Sequence, residues 1–271
     1  MRGSSRGSAK AAQAAFDAAL AADAAWETLA EELFAVTGVV DGNASLRRAL
    51  ADPSRDGSDK AGLARALLDG KTGATTTGLV ADVAAQRWSA ERDLGDTLET
   101  LAVQALLAAA ERERRIDRGE DELFRFERIV AGNTALLDTL SSRNTDGSGK
   151  ATLVHGLLEG KAAPETTRLV EQAVRVPRGR RLDQVLESYL RLAAQRRDEL
   201  TALVTVAAPL TEQQHARLRS ALEAHYSKAV SLQVVEVPAV MGGIRVQVGD
   251  EVVDGTVLRR LDEARRHVTG G

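Results

Sequence analysis

The chain has no cysteine, five prolines, 3% aromatic residues and a net charge of only -3 over 271 residues. Without cysteine there are no disulfides, thiolate metal sites or cysteine nucleophiles, and a reducing compartment is a comfortable setting. Scarce proline leaves long stretches free to be helical, while scarce aromatics mean that any core is built from small aliphatic side chains. A balance of both signs gives no global field to attract nucleic acid or anionic lipid. No run of about 18 uncharged apolar residues occurs, so a membrane-spanning helix is not expected and any membrane association would come through partners. The first residues, 1–8, are followed by an Ala-rich stretch interrupted by Lys10, Gln13 and Asp17 rather than by a signal-peptide core, and are expected to form a flexible terminus.

What the chain does have is 44% apolar residues dominated by Ala, Leu and Val, and an internal repeat. Glu32-Leu33-Phe34 recurs as Glu122-Leu123-Phe124, and the two stretches run on without a gap at an offset of 90, with 22 of 49 positions identical between residues 32–80 and 122–170. The identities include Gly42-Asn43 and Gly132-Asn133, Asp56-Gly57-Ser58 and Asp146-Gly147-Ser148, Lys60 and Lys150, and Gly70-Lys71 and Gly160-Lys161. Such self-similarity points to one duplicated structural unit. Within each copy, leucines at helical spacing such as Leu153, Leu157 and Leu158 alternate with turn residues such as Asp52-Pro53-Ser54, the pattern of a small antiparallel helix bundle. Between the copies, Ala90 to Arg118 lacks proline and carries an apolar stripe at Leu94, Leu98, Leu101, Ala105 and Leu106, which predicts one long connecting helix.

From Leu203 the period changes. Leu203-Val204-Thr205-Val206-Ala207-Ala208 is β-prone and stops at Pro209; Thr211 stands as an N-cap before a helix with Leu218, Leu222 and Tyr226 on its apolar side; Val230 to Val237 returns to strand. Ile244, Val246 and Val248 alternate with Arg245 and Gln247, Gly249-Asp250 suits a tight hairpin turn, Glu251 to Val253 is the return strand, and Asp254 can cap a last helix through Val257, Leu258, Leu261 and Ala264. The expected architecture is mainly α with a small α/β C-terminal domain: tandem helix bundles followed by a sheet of three or four strands with two helices. The expected organisation is a flexible terminus at 1–8, a first helical unit with the long connecting helix at 9–118, its repeat at 119–202, and the α/β domain at 203–271.

Little in this pattern carries chemistry. Gly70-Lys71-Thr72 resembles the end of a phosphate-binding loop but follows a leucine-rich helix rather than a strand, has Arg65 where the loop needs glycine, and ends in Ala162 in the second copy, so a helix C-terminus closed by Gly70 is the expectation. The four histidines, His155, His215, His225 and His267, have no metal-ligand spacing. Asp250 and Asp254 are explained by a turn and a cap, and Gly242 and Gly243 by close backbone approach. No nucleophile, base and oxyanion site assemble, so neither catalysis nor a cofactor or metal is expected. The cluster around Arg178, Arg180 and Arg181 is the best candidate for contact with an anionic partner, although a solvated loop is the reading the pattern favours; it lacks the aromatic interleaving of nucleic-acid sites.

The run from Gly242 and Gly243 through Ile244, Val246, Val248, Gly249, Asp250, Val252, Val253, Asp254, Gly255 and Thr256 to Leu261 resembles the C-terminal signature of F-type ATP synthase delta subunits, the family that includes the mitochondrial oligomycin-sensitivity-conferring protein. Gly179-Arg180-Arg181-Leu182 and Val204-Thr205-Val206-Ala207-Ala208-Pro209-Leu210-Thr211 resemble that family in order and spacing. The resemblance covers the chain from Glu122 onward, and the duplicated helical unit is similar to actinobacterial-type members. Val237 departs from it, standing where many members have Asp before Pro. The resemblance implies a non-catalytic stator adaptor on the cytoplasmic face of the bacterial plasma membrane, whose helical part binds alpha subunits of the catalytic head and whose C-terminal domain binds b-type stalk subunits, with no nucleic acid and no direct membrane contact. The alternative from composition alone is a tandem-bundle adaptor or regulatory protein unrelated to the synthase.

Overall fold

The computed structural model describes residues 4–22, 25–142, 145–198, 200–226, 228–237, 243–248 and 251–254. The chain forms two compact units, Met1–Phe16 with Ala25–Arg197, and Asp17–Ala24 with Asp198–Gly271. In chain order the helices are α1 (Ser4–Ala22), α2 (Trp26–Gly42), α3 (Ala44–Ala51), α4 (Gly57–Leu68), α5 (Ala74–Ala85), α6 (Glu91–Arg112), α7 (Ile116–Ala131), α8 (Thr134–Ser141), α9 (Gly147–Leu158), α10 (Pro164–Arg175) and α11 (Leu182–Asp198). They are followed by β1 (Leu200–Val206), α12 (Glu212–Tyr226), β2 (Val230–Glu236), β3 (Ile244–Val248) and β4 (Glu251–Asp254).

The repeat in the sequence is a repeat in space. The helices α3, α4 and α5 recur as α8, α9 and α10 with both ends shifted by the same 90 residues. The identities mark the joints. Asn43 and Asn133 each accept a hydrogen bond from the amide three residues on, Leu46 and Leu136, at 3.0 Å, an N-cap that satisfies one of the free donors of a helix start. Gly70 and Gly160 stand at φ +66° and +69° just past α4 and α9, closing each helix with left-handed residues that a β-carbon would disfavour. A β-carbon on Gly57 or Gly147 would come 2.7 Å from the carbonyl oxygen of Ala85 or Arg175, so the start of α4 lies directly against the end of α5, and α9 against α10. Lys60 is fully buried because its ammonium group donates at 2.6 Å to the Gln86 carbonyl, just past α5.

Two helical expectations change. Ser4–Ser8 is not a loose end but the first turns of α1: the Ser89 amide donates to Ser5 Oγ at 2.7 Å and Ser8 Oγ donates to the Arg87 carbonyl at 2.5 Å. The helix expected over Ala90 to Arg118 ends at Arg112, and α7 starts anew at Ile116. The break falls among good helix formers, Glu113, Arg114 and Arg115, and tertiary contacts override their propensity: Arg114 takes φ +56° while Arg115 makes a two-pronged hydrogen bond to buried Glu165 of α10. Nor is α6 merely a connector. Its buried residues run from Leu94 to Ala110, and it packs on α2, α3 and α5 of the first copy and on α7 and α10 of the second.

In the second unit the sheet order is β2-β1-β3-β4, with β1 and β2 parallel across the α12 crossover and the other pairs antiparallel. Alternation puts Ala202, Val204, Val206, Leu232, Val246 and Val248 on one buried face, against which Leu218, Leu222 and Tyr226 of α12 pack. Thr211 caps α12 as expected, and Gln214 completes the capping box by accepting from the Thr211 amide at 2.9 Å. Strand β1 begins at Leu200, three residues before the expected start, and its register against β2 runs from Leu200 opposite Val230 to Val206 opposite Glu236.

Candidate functional site

The loop after α10, Val176–Arg181, carries the expected basic cluster, but the structure turns two of its arginines inward. Arg178, at φ +54°, has a side chain only 5% exposed. Its guanidinium donates to Asp41 of α2 at 3.1 Å and to Asp96 and Glu99 of α6 at 2.7 and 2.8 Å. Arg180 also bonds to Glu99, and the buried Tyr189 hydroxyl donates to the same carboxylate at 3.0 Å. The Arg178 carbonyl in turn accepts from Arg92. Only Arg181, 77% exposed and paired with neighbouring Asp183, remains at the surface as a loop arginine would. Instead of a solvated loop, the cluster ties the start of α11 to both α2 and α6.

Electrostatics agrees with that role. Burial works against the Arg178 charge, but its bonds to Asp41 and Glu99 outweigh it and raise the guanidinium above its ordinary range. Burial pushes the Asp96 carboxyl up, with Arg178 pulling it back only in part. Burial and then the Glu99 charge push the Tyr189 phenol well up, so its hydroxyl stays a donor. Three carboxylates thus face two guanidiniums, and Arg178 is the one bonded to all three.

Open clefts of about 450 and 320 Å³ flank the network, and their linings include its members: Asp41 and Arg178 in the first, Asp96, Glu99, Arg180 and Tyr189 in the second. Among the described residues no group of three His, Asp or Glu side chains could hold a metal ion. Sequence reasoning missed Asp41, Asp96 and Glu99. The available signal was Glu99 itself, an acid set within the apolar run Leu94, Leu98, Leu101, Ala102.

Another carboxylate fastens each copy internally. Glu32 accepts from the Gly73 amide at 3.0 Å, and Glu122, one repeat later, accepts from the Ala163 amide at 2.8 Å. Burial alone would push the Glu122 carboxyl up; the Ala163 amide and the Arg118 guanidinium prevail and hold it below its ordinary range. A carboxyl with a depressed native pKa contributes stability that is present above about pH 4.5 and is lost as the pH falls through the native value. Glu122→Gln is therefore expected to flatten the acid limb of the stability profile below about pH 4.5, read by urea denaturation at several pH values; an acid limb identical to that of the parent chain would refute the assignment.

Of the signature residues, Gly243 lies just before β3 at φ +100°, and Asp254 ends β4 opposite Arg245. Val248 pairs with Glu251, so two residues link β3 to β4, as a tight hairpin requires. Those two, Gly249 and Asp250, lie outside the described residues, as do Gly242, Gly255, Thr256, Leu261 and the final helix that Asp254 was expected to cap.

The family model described as ATP synthase delta (OSCP) subunit matches residues 103–268. A protein named ATP synthase subunit delta from Beutenbergia cavernae is 45% identical over 271 residues, covering all of both chains. The protein of the same name from Kineococcus radiotolerans is 44% identical over 269 residues, 99% of this chain and 98% of that one. Its Streptomyces griseus counterpart is 48% identical over 242 residues, 89% of each. These relatives extend over the duplicated helices as well as the signature, which sets aside an adaptor unrelated to the synthase. The chain belongs to the ATP synthase delta (OSCP) subunit family.

Proposed function

We propose that this chain is the stator adaptor of a bacterial F-type ATP synthase, holding the catalytic head to the peripheral stalk while the rotor turns. The chain is non-catalytic, in keeping with its family. The observation that carries the reading is that full-length family likeness coincides with a build of two compact units, one helical and one α/β. A strut must grip at two ends. The helical unit, in this reading, grips alpha subunits of the head, and the α/β unit grips b-type stalk subunits. Linking two grips in one chain raises the effective concentration of each for its target, so modest individual affinities suffice to resist torque. No helix among the described residues is long and apolar enough to cross a membrane. The proposed place, the cytoplasmic face of the plasma membrane, follows from the partners.

Calorimetric titration of the purified chain into catalytic heads stripped of their own delta subunit, with no stalk present, tests the reading. Saturable binding with a stoichiometric endpoint is expected. No heat of binding at any ionic strength would sink it.

A further inference from the structure

The two helical copies are chemically alike but differently covered. In the first, Arg168 of α10 lies over the Phe34 ring of α2, its guanidinium carbon 5.0 Å from the ring centre, and the same group donates to Glu31 at 2.8 Å. A planar cation thus meets an aromatic face and a carboxylate at once, and Phe34 is only 5% exposed. Ninety residues later, Phe34 and Glu31 become Phe124 and Asp121 of α7. The positions correspond in space too, because the Glu122 bond to the Ala163 amide fixes α7 to the start of α10 as the Glu32 bond to the Gly73 amide fixes α2 to the start of α5. Among the described residues no third helical copy follows to lay an arginine over them. Phe124 is 53% exposed and the Asp121 side chain 74% exposed, its ion pair a loose 3.9 Å contact with equally exposed Arg125.

We propose that Phe124 and Asp121 form a docking surface for a helix of another subunit that presents an arginine, seated as Arg168 is seated on Phe34 and Glu31. The occupant is specified by the first copy, where this chain shows what chemistry covers such a pair. An exposed ring beside an exposed carboxylate suits a guanidinium with an apolar stem; a purely apolar helix would bury Asp121 with only the loose contact to Arg125 to offset its charge. Arg125 stands where the first copy has Ala35, and its loose contact and exposure let it swing aside.

The inference rests on assembly into the synthase, and the test separates the two. The photoreactive residue benzoylphenylalanine is placed at position 124 of the full chain, the complex is purified and irradiated, and cross-linked peptides are identified by mass spectrometry. A cross-link to a helical peptide of another subunit, next to an arginine, is expected, and Asp121→Lys in the same background should lower its yield about fivefold or more. A complex that contains the chain but gives no cross-link between subunits at this position, or one indifferent to charge reversal, overturns the docking surface and leaves the adaptor reading standing. A chain that fails to enter the complex overturns both.

Discussion

Arg178→Met is expected to destabilise the helical unit by about 3–5 kcal/mol, the cost of removing one partner from a buried ion network. In a helical unit of this size that lowers the melting temperature by roughly 10 °C. The methionine fills much of the volume, so the loss comes from charge: Asp41, Asp96 and Glu99 would be left facing one another with Arg180 bonded to Glu99 alone and Arg92 acting on Asp96 from a distance. Arg178→Lys should fall between, since a single ammonium cannot reproduce a fork that reaches three carboxylates. Asp96→Asn is the informative contrast. Burial already pushes that carboxyl up, so replacing it should change stability little. Thermal denaturation followed by circular dichroism reads all three variants, and an unchanged melting temperature for Arg178→Met would refute the network's structural role.

A chain ending at Arg197 is expected to lose stalk binding, with affinity for b-type subunits down by at least about 100-fold, while titration into stalk-free heads stays within about twofold. The cut removes β1 to β4 and α12 together with their shared core of Ala202, Val204, Val206, Leu232, Val246 and Val248. Every member of the Arg178 network lies before it. A shorter cut, after Ala208, would leave β1 without the three strands that complete its sheet and would expose its apolar face, confusing lost binding with aggregation. Stalk binding that survives removal of residues 198–271 would sink the two-ended attachment.

Much of the fold was legible because it is written twice. Asn43 and Asn133, Gly70 and Gly160, and Lys60 and Lys150 are identities in the sequence and joints in the structure, where a cap, a left-handed residue or a buried ammonium leaves little choice of side chain. The strand alternation at Ile244, Val246 and Val248 and the apolar side of α12 were equally plain, since period alone assigns them. What escaped depends on partners distant in sequence. The start of α1 is fixed by groups 79 and 84 residues away, and Arg178 reaches acids 79 to 137 residues away. The break at Glu113–Arg115 contains neither glycine nor proline, so no local rule announces it. The arginine cluster was noticed but given the wrong surroundings, because sequence records a charge without recording the direction in which it points.

The placement of α6 bears on how this chain can change over generations. Duplicated segments ordinarily drift apart, each free to vary while the other keeps the original interfaces. Here that freedom is curtailed, because a single helix serves the interiors of both copies. A substitution on the buried side of α6 that suits one copy must also be tolerated by the other. Outward-facing positions carry no such double obligation, and Phe34 and Phe124, identical residues, have already come to occupy opposite environments. Two copies that share a spine are thus free to differ on their outward faces but not where both rest on α6.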